Sequence, residues 1–203
     1  MLHPDSKILN RVAAYVEELL CSRLPAGHIF HNLNHTRLVV QAAGEICGFM
    51  SVSKPEREIV LIAAWFHDAG HVVICDGHEE ESKRMAGQFL KDADYPAPKI
   101  EKVLQCIEAT KVPQRPVDIL GEILCDADLY HLAAGDYFMS LDQLREEWSQ
   151  IKNENYTDAD WFRLNLHFLQ AHQYFTDYGR AVLEDRKKAA IEVLEMSCKF
   201  YGQ

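Results

Sequence analysis

The first constraints on this sequence come from what it lacks. Its six cysteines (Cys21, Cys47, Cys75, Cys106, Cys125 and Cys198) form no Cys-x-x-Cys pair and lie far apart, mostly inside apolar runs. That spacing implies buried, reduced thiols and excludes a disulfide framework or a cysteine-built zinc site. No apolar run approaches the roughly 20 residues of a membrane span, and the opening MLHPDSKILN lacks the basic-then-apolar layout of a signal peptide. Cytoplasmic residence is therefore the expectation. Positive charge is short: 21 Lys and Arg against 31 Asp and Glu leave a net charge of −10. Broad binding to nucleic acid or to an anionic membrane needs clustered Lys and Arg, so both are excluded as main functions. A small phosphorylated substrate in a local basic pocket stays compatible. Also missing are internal repeats, low-complexity tracts, long linkers and convincing strands, since VVIC is the one short β-branched run.

What is present reads as helix after helix. Hydrophobic residues at 48% and charged residues at 26% are ordinary globular values, and 203 residues fit a single domain with a sizeable core. Asp5 or Ser6 can cap a first helix whose apolar positions Ile8, Leu9, Val12, Val16, Leu19 and Leu20 recur at helical spacing and end before Pro25. Leu38, Val39, Ala42, Ala43 and Ile46 carry a second, and Pro55 stands at the first turn of a third, REIVLIAAWFHD, apolar enough to be central and buried. HVVICDG reads as a turn-rich break, followed by helical HEEESKRMAGQFLKDA, KIEKVLQCIEAT and VDILGEILCDADLYHLAA. Three more patterns follow: LDQLREEWSQIK, DADWFRLNLHFLQAHQYF and GRAVLEDRKKAAIEVLEMSCKF. The expected architecture is an all-α bundle forming one domain, with its core over about residues 28–135 and helices from about 140 to 200 packed on it.

Polar residues break these apolar helices at a few places, and those breaks carry the chemistry. His67 and Asp68 end the AAWF run. Burying a neutral polar group without a partner costs on the order of 2–7 kcal/mol, so something must compensate for this pair. A divalent cation satisfies both, because imidazole and carboxylate together suit mid-series metals. Asp126 and Asp128 repeat the anomaly inside ILCDADL. Two-apart positions on a helix face different ways, so at most one of them aims at the same site. His31 and His35 are four apart, which would place them on one face if the segment is helical, with roughly 6 Å between their Cβ atoms. His3, His131, His167 and His172, and the aromatic run from Trp161 to Phe175, read as ordinary packing or surface.

The ordered set formed by HNLNHT at His31 to Thr36, the doublet His67-Asp68 and the segment Ala127-Asp128-Leu129 resembles the HD superfamily of phosphohydrolases. The wider spans AAWFHDAGH, GHEEES, IEATK and EILCDADL are similar to bacterial HD-domain phosphohydrolases, so the resemblance covers roughly residues 28–135. It implies an all-α fold of the HD/phosphodiesterase kind, with His35, His67, Asp68 and Asp128 as ligands of a divalent metal (Mn, Mg, Fe, Ni, Co or Zn). Asp68 would share in catalysis. His31 matches the histidine that protonates the leaving oxygen in cyclic-nucleotide phosphodiesterases with a similar motif. His71 and His78 stand where some members place ligands of a second ion, with Glu80 or Glu81 as further ligand or water-orienting group. Lys111 and Arg145 are candidates for substrate phosphate, the alternative for each being a solvated surface cation. The activity implied is hydrolysis of a phosphomonoester or phosphodiester of a nucleotide or related small molecule by metal-activated water. A non-catalytic nucleotide-sensing module and a di-iron oxygenase are the alternatives, and homo-oligomerisation is left open. The segment after the doublet lacks the acidic pair of the ppGpp-hydrolase branch, so that substrate is not implied.

Overall fold

The computed structural model describes residues 6–201, which leaves Asp5 and His3 outside the described residues. Among the described residues the chain is all-helical, without a strand. None of its helices is long and apolar enough to cross a membrane. It divides into two compact units, one holding residues up to 26 and 31–128, the other residues 27–30 and those from 129 onward.

The first unit begins with α1 (Lys7–Arg23), whose N-terminus Ser6 caps by accepting a hydrogen bond from the Leu9 amide. Asn32 does the same for α2 (Leu33–Phe49), accepting from the Asn34 and His35 amides and so fixing where the helix carrying His35 starts. A reciprocal capping box between Ser53 and Glu56, with Pro55 in the first turn, opens α3 (Lys54–Phe66). Every residue of α3 from Ile59 to Phe66 is buried, as its continuous apolar run demands. It packs against α1, α2, α4 (His78–Asp92), α5 (Ala97–Ala109) and α6 (Ile119–Asp128). Each Leu, Ile, Val or Phe buried there contributes about 1.5–3 kcal/mol, so this unit's stability is centred on the helix that delivers His67 and Asp68. After α3 the chain tightens into a 3₁₀ turn, Ala69–Val72, that lies on α4.

Gly70 makes that contact possible. Its amide donates to Ser82 Oγ at 2.8 Å, and a Cβ at this position would stand 2.0 Å from the His78 carbonyl oxygen. Two elements separated by the turn HVVICDG are thus held at backbone-to-backbone distance. The VVIC run itself forms part of this turn and not a strand.

The second unit contains the 3₁₀ turn Leu129–Ala133, α7 (Tyr137–Glu147), α8 (Asp158–Ala171) capped by Thr157, and α9 (Glu184–Tyr201), with single π turns at Trp148–Lys152 and Gly179–Leu183. Tyr137, Leu141, Trp161, Leu169 and Leu194 form its core. Trp148 sets its ring edge-on to Trp161 at 5.4 Å, an arrangement that attracts beyond simple burial, and Tyr156 packs tilted on the same ring at 5.3 Å. The short segment 27–30 joins this unit through the Phe30 amide, which donates to the buried Glu147 carboxylate at 2.8 Å.

Two helical patterns stop earlier than their periodicity predicts. VDILGEILCDADLYHLAA is capped by Asp118 through the Leu120 and Gly121 amides, but α6 ends at Asp128 and continues as a 3₁₀ turn. DADWFRLNLHFLQAHQYF ends at Ala171, with His172 extended at ψ 137°. The cause is local: Lys187 Nζ takes the His172 carbonyl at 2.6 Å, drawing that residue out of the helix. All six cysteines are free, and burial pushes the Cys47 thiol up to about 11 and that of Cys106 to about 12, which makes both inert.

Candidate metal centre

Three helices of the first unit bring the predicted polar residues to one place. His35 comes from the first turn of α2, His67 and Asp68 from the C-terminal end of α3, and Asp128 from the last residue of α6. His35 Nε2 lies 3.5 Å from Asp68 Oδ2 and 3.3 Å from Asp128 Oδ1. His67 Nε2 lies 3.2 Å and 3.5 Å from the same two oxygens, and the two imidazole nitrogens are 3.4 Å apart. Four atoms bound to one ion at about 2.0–2.2 Å would be separated by roughly 3.0–3.5 Å along the edges of the coordination polyhedron. The measured separations fall in that range, and the donor set, two neutral-capable imidazoles and two carboxylates, suits a mid-series divalent cation.

The local chemistry also leaves the right atoms available. His67 Nδ1 sits 2.8 Å from the Ala64 carbonyl, which can only accept, so the ring proton belongs on Nδ1 and Nε2 is the ligating atom. Burial opposes charge on His67, but the carboxylates of Asp68 and Asp128 outweigh it and raise its pKa well above the ordinary value. Burial likewise works against ionised Asp68, yet the His67 charge beside it and the contact with His78 hold its carboxyl well below the usual range. Asp128 is also lowered: burial is overcome by hydrogen bonds from His35 and His67. Both carboxylates are thus anionic at neutral pH, the form that ligates.

A second histidine layer flanks this set. His31 stacks on His71 at 4.8 Å, and His71 on His78 at 3.9 Å. His78 Nε2 reaches Asp68 Oδ1 at 3.2 Å while its Nδ1 faces the Cys75 carbonyl at 2.9 Å, the same arrangement that orients His67. One ligand atom from each of His31, Asp68 and His71 can be chosen so that all lie within 4.8 Å of one another, so Asp68 stands between two groups of metal-ligating type. Burial opposes protonation of His78, but the hydrogen bond to Asp68 raises its pKa.

The remaining candidates sit elsewhere. Glu81 binds Arg84 at 2.8 Å and Glu80 binds Lys83 at 2.8 Å, while the acid that turns toward His78 is Glu79, 3.9 Å from its Nδ1 and largely buried. Sequence reasoning missed it because three consecutive glutamates at a helix start differ only in the direction they face. Lys111 is exposed just past the end of α5, on the side of Glu80, whose pKa it helps to lower. Arg145 belongs to the second unit, where its guanidinium bonds Asp158 and the Tyr156 carbonyl. Asp126, fully buried two residues before Asp128, is not part of either potential metal group.

The HD-domain profile matches residues 32–133, which include His35, His67, Asp68, His71, His78 and Asp128. The chain belongs to the HD-domain family. Its fold is similar to that of a predicted HD superfamily hydrolase from an uncultured Thermotogales bacterium, with a TM-score of 0.64 and 18% identity over 95% of this chain and 92% of that one. No curated protein matches the chain significantly.

Proposed function

We propose that this protein is a metal-dependent phosphohydrolase that cleaves a small phosphoester, with nucleotides the favoured substrates. The observation that carries the proposal is the convergence of His35, His67, Asp68 and Asp128 at separations of 3.2–3.5 Å. A divalent cation held there would supply Lewis acidity and a bound water of lowered pKa. With that ion bound, Asp68 would be placed to orient the water and to accept its proton. As the new P–O bond forms the bond to the leaving group would break, and His31 would be placed to give the departing oxygen its proton. The His31 ring lies 5.8 Å from His35 and is kept in place by its stack on His71. An imidazole carries an N–H that it can donate, which suits that acid role. The acidic net charge favours a small substrate over a polymer.

The grouping of His31, Asp68 and His71, with His78 against Asp68, favours one second reading, a two-ion centre of the kind that also supports oxygen chemistry. Metal content of the purified wild type and of His67→Ala/Asp68→Ala, paired with a Mn²⁺-supplemented screen for phosphate release from nucleotides and a generic phosphodiester, separates these. Bound metal and phosphate release lost together in the variant support the hydrolase. Two irons per chain with O₂ consumption and no phosphate release select the oxygenase. A wild type that binds no metal and releases no phosphate overturns both and leaves a nucleotide-sensing module.

A further inference from the structure

Helix α9 has two apolar faces, and only one of them is used by its own unit. Lys187, Ala190 and Leu194 point inward and are buried. About 120° round the helix, Ala189, Val193, Met196 and Phe200 form a second line, with Ala189 exposed and the other three 39%, 60% and 76% exposed. Single exposed apolar residues are unremarkable on any surface. These four, however, are spaced four, three and four residues apart, the a/d alternation of a coiled-coil seam. The two charged residues that immediately precede the a positions are Glu192 and Lys199, of opposite sign on one flank of the seam. Both are exposed, and among the described residues neither forms an ion pair within the chain.

We infer that this seam is the interface of a homodimer in which α9 pairs antiparallel with α9 of a second copy. A two-fold axis near the middle of the seam layers Val193 on the partner's Met196 and Ala189 on the partner's Phe200, each layer setting a smaller residue against a larger one. In that orientation the flanking positions face each other, so Glu192 meets the partner's Lys199 and Lys199 meets the partner's Glu192. A self-complementary patch is what a closed two-fold assembly requires. Parallel pairing sets Phe200 on itself and Glu192 beside Ser197, leaving both charges without a counterpart, so the charge pattern selects the antiparallel dimer.

The test is sedimentation equilibrium of the full chain over a concentration series, with far-UV circular dichroism to confirm that each variant folds. The wild type is expected to dimerise. Met196→Glu inserts a charge into the seam twice per dimer and should raise the dissociation constant by about 100-fold or more. Lys199→Glu turns two attractive pairs into repulsive ones and should raise it by roughly tenfold. Glu192→Lys combined with Lys199→Glu exchanges the signs and should restore wild-type association. A monomeric wild type at every concentration overturns the proposal and assigns the seam to a different protein. A dimer indifferent to Met196→Glu overturns it by placing the interface on another face. Failure of the charge exchange to restore what Lys199→Glu loses overturns the antiparallel arrangement.

Discussion

In the second unit Lys187 is only 2% exposed, and its ammonium is met by Glu184 at 2.9 Å, by the His172 carbonyl at 2.6 Å and by the Tyr174 ring, whose centroid is 5.3 Å away. In the first unit His35, His67, Asp68 and Asp128 are drawn to one point by three helices, with their nitrogen and oxygen atoms aimed at each other. Both units bury ionisable groups, but the Lys187 cluster closes on itself, using a neighbour three residues away and a backbone oxygen. The histidine–aspartate set comes from distant parts of the chain and converges on a space the size of a cation. Burial of charge alone therefore does not mark a functional site. Convergence from separate elements, with the far nitrogen of His67 already committed to the Ala64 carbonyl, does.

That contrast can be broken in steps. The largest effect is expected from Gly70→Ala: with its Cβ 2.0 Å from the His78 oxygen, the turn and α4 must separate, costing at least about 3 kcal/mol and moving His78 off Asp68. Denaturant unfolding together with metal-binding titration would register both losses. Next, adding a bound cation to the wild type should stabilise it by about 2.7 kcal/mol at a hundredfold excess over Kd, roughly 5–10 °C in Tm. Asp68→Ala should show no such rise in a thermal scan with and without Mn²⁺. Lys187→Met, which keeps the stem and removes the charge, should destabilise by about 2 kcal/mol because Glu184 is partly exposed and rehydrates easily. Its metal-dependent Tm shift should equal that of the wild type, and a reduced shift would mean that the two clusters are not independent.

The smallest effect concerns pH. Burial, reinforced by the Lys187 charge, lowers the His172 pKa from 6.5 to about 4. Above 6.5 the imidazole is neutral in both folded and unfolded chains. As pH falls from 6.5 towards 4 the unfolded chain takes up a proton that the folded chain refuses, so stability drops across that window by about 1–2 kcal/mol, less than the full shift because water reaches the half-buried ring. His172→Gln keeps the carbonyl that Lys187 uses and should flatten that part of the Tm–pH curve. An unchanged curve would remove His172 as the cause.

Much of this was legible in the sequence, for identifiable reasons. Ser6, Pro55 and the unbroken apolar run of α3 announce themselves because caps, first-turn proline and burial are local or one-dimensional signals. His67 and Asp68 stood out because two polar groups at the end of a buried helix need compensation. The choice of Glu79 over its two neighbours was not legible, since it depends on how α4 meets the turn at Gly70. Nor was the early end of α8, which is set by Lys187 reaching back from α9 to a carbonyl.

The origin of the four converging donors has a topological consequence. His35, His67 with Asp68, and Asp128 are separated by most of the first unit's length, so a single ion shared among them would act as a removable cross-link, stitching α2, α3 and α6 into closed loops. Such a clasp restricts the opened chain most when the loops are long. Chelation should therefore be felt far from the ligands, as faster amide exchange and earlier protease cutting along all three helices at once.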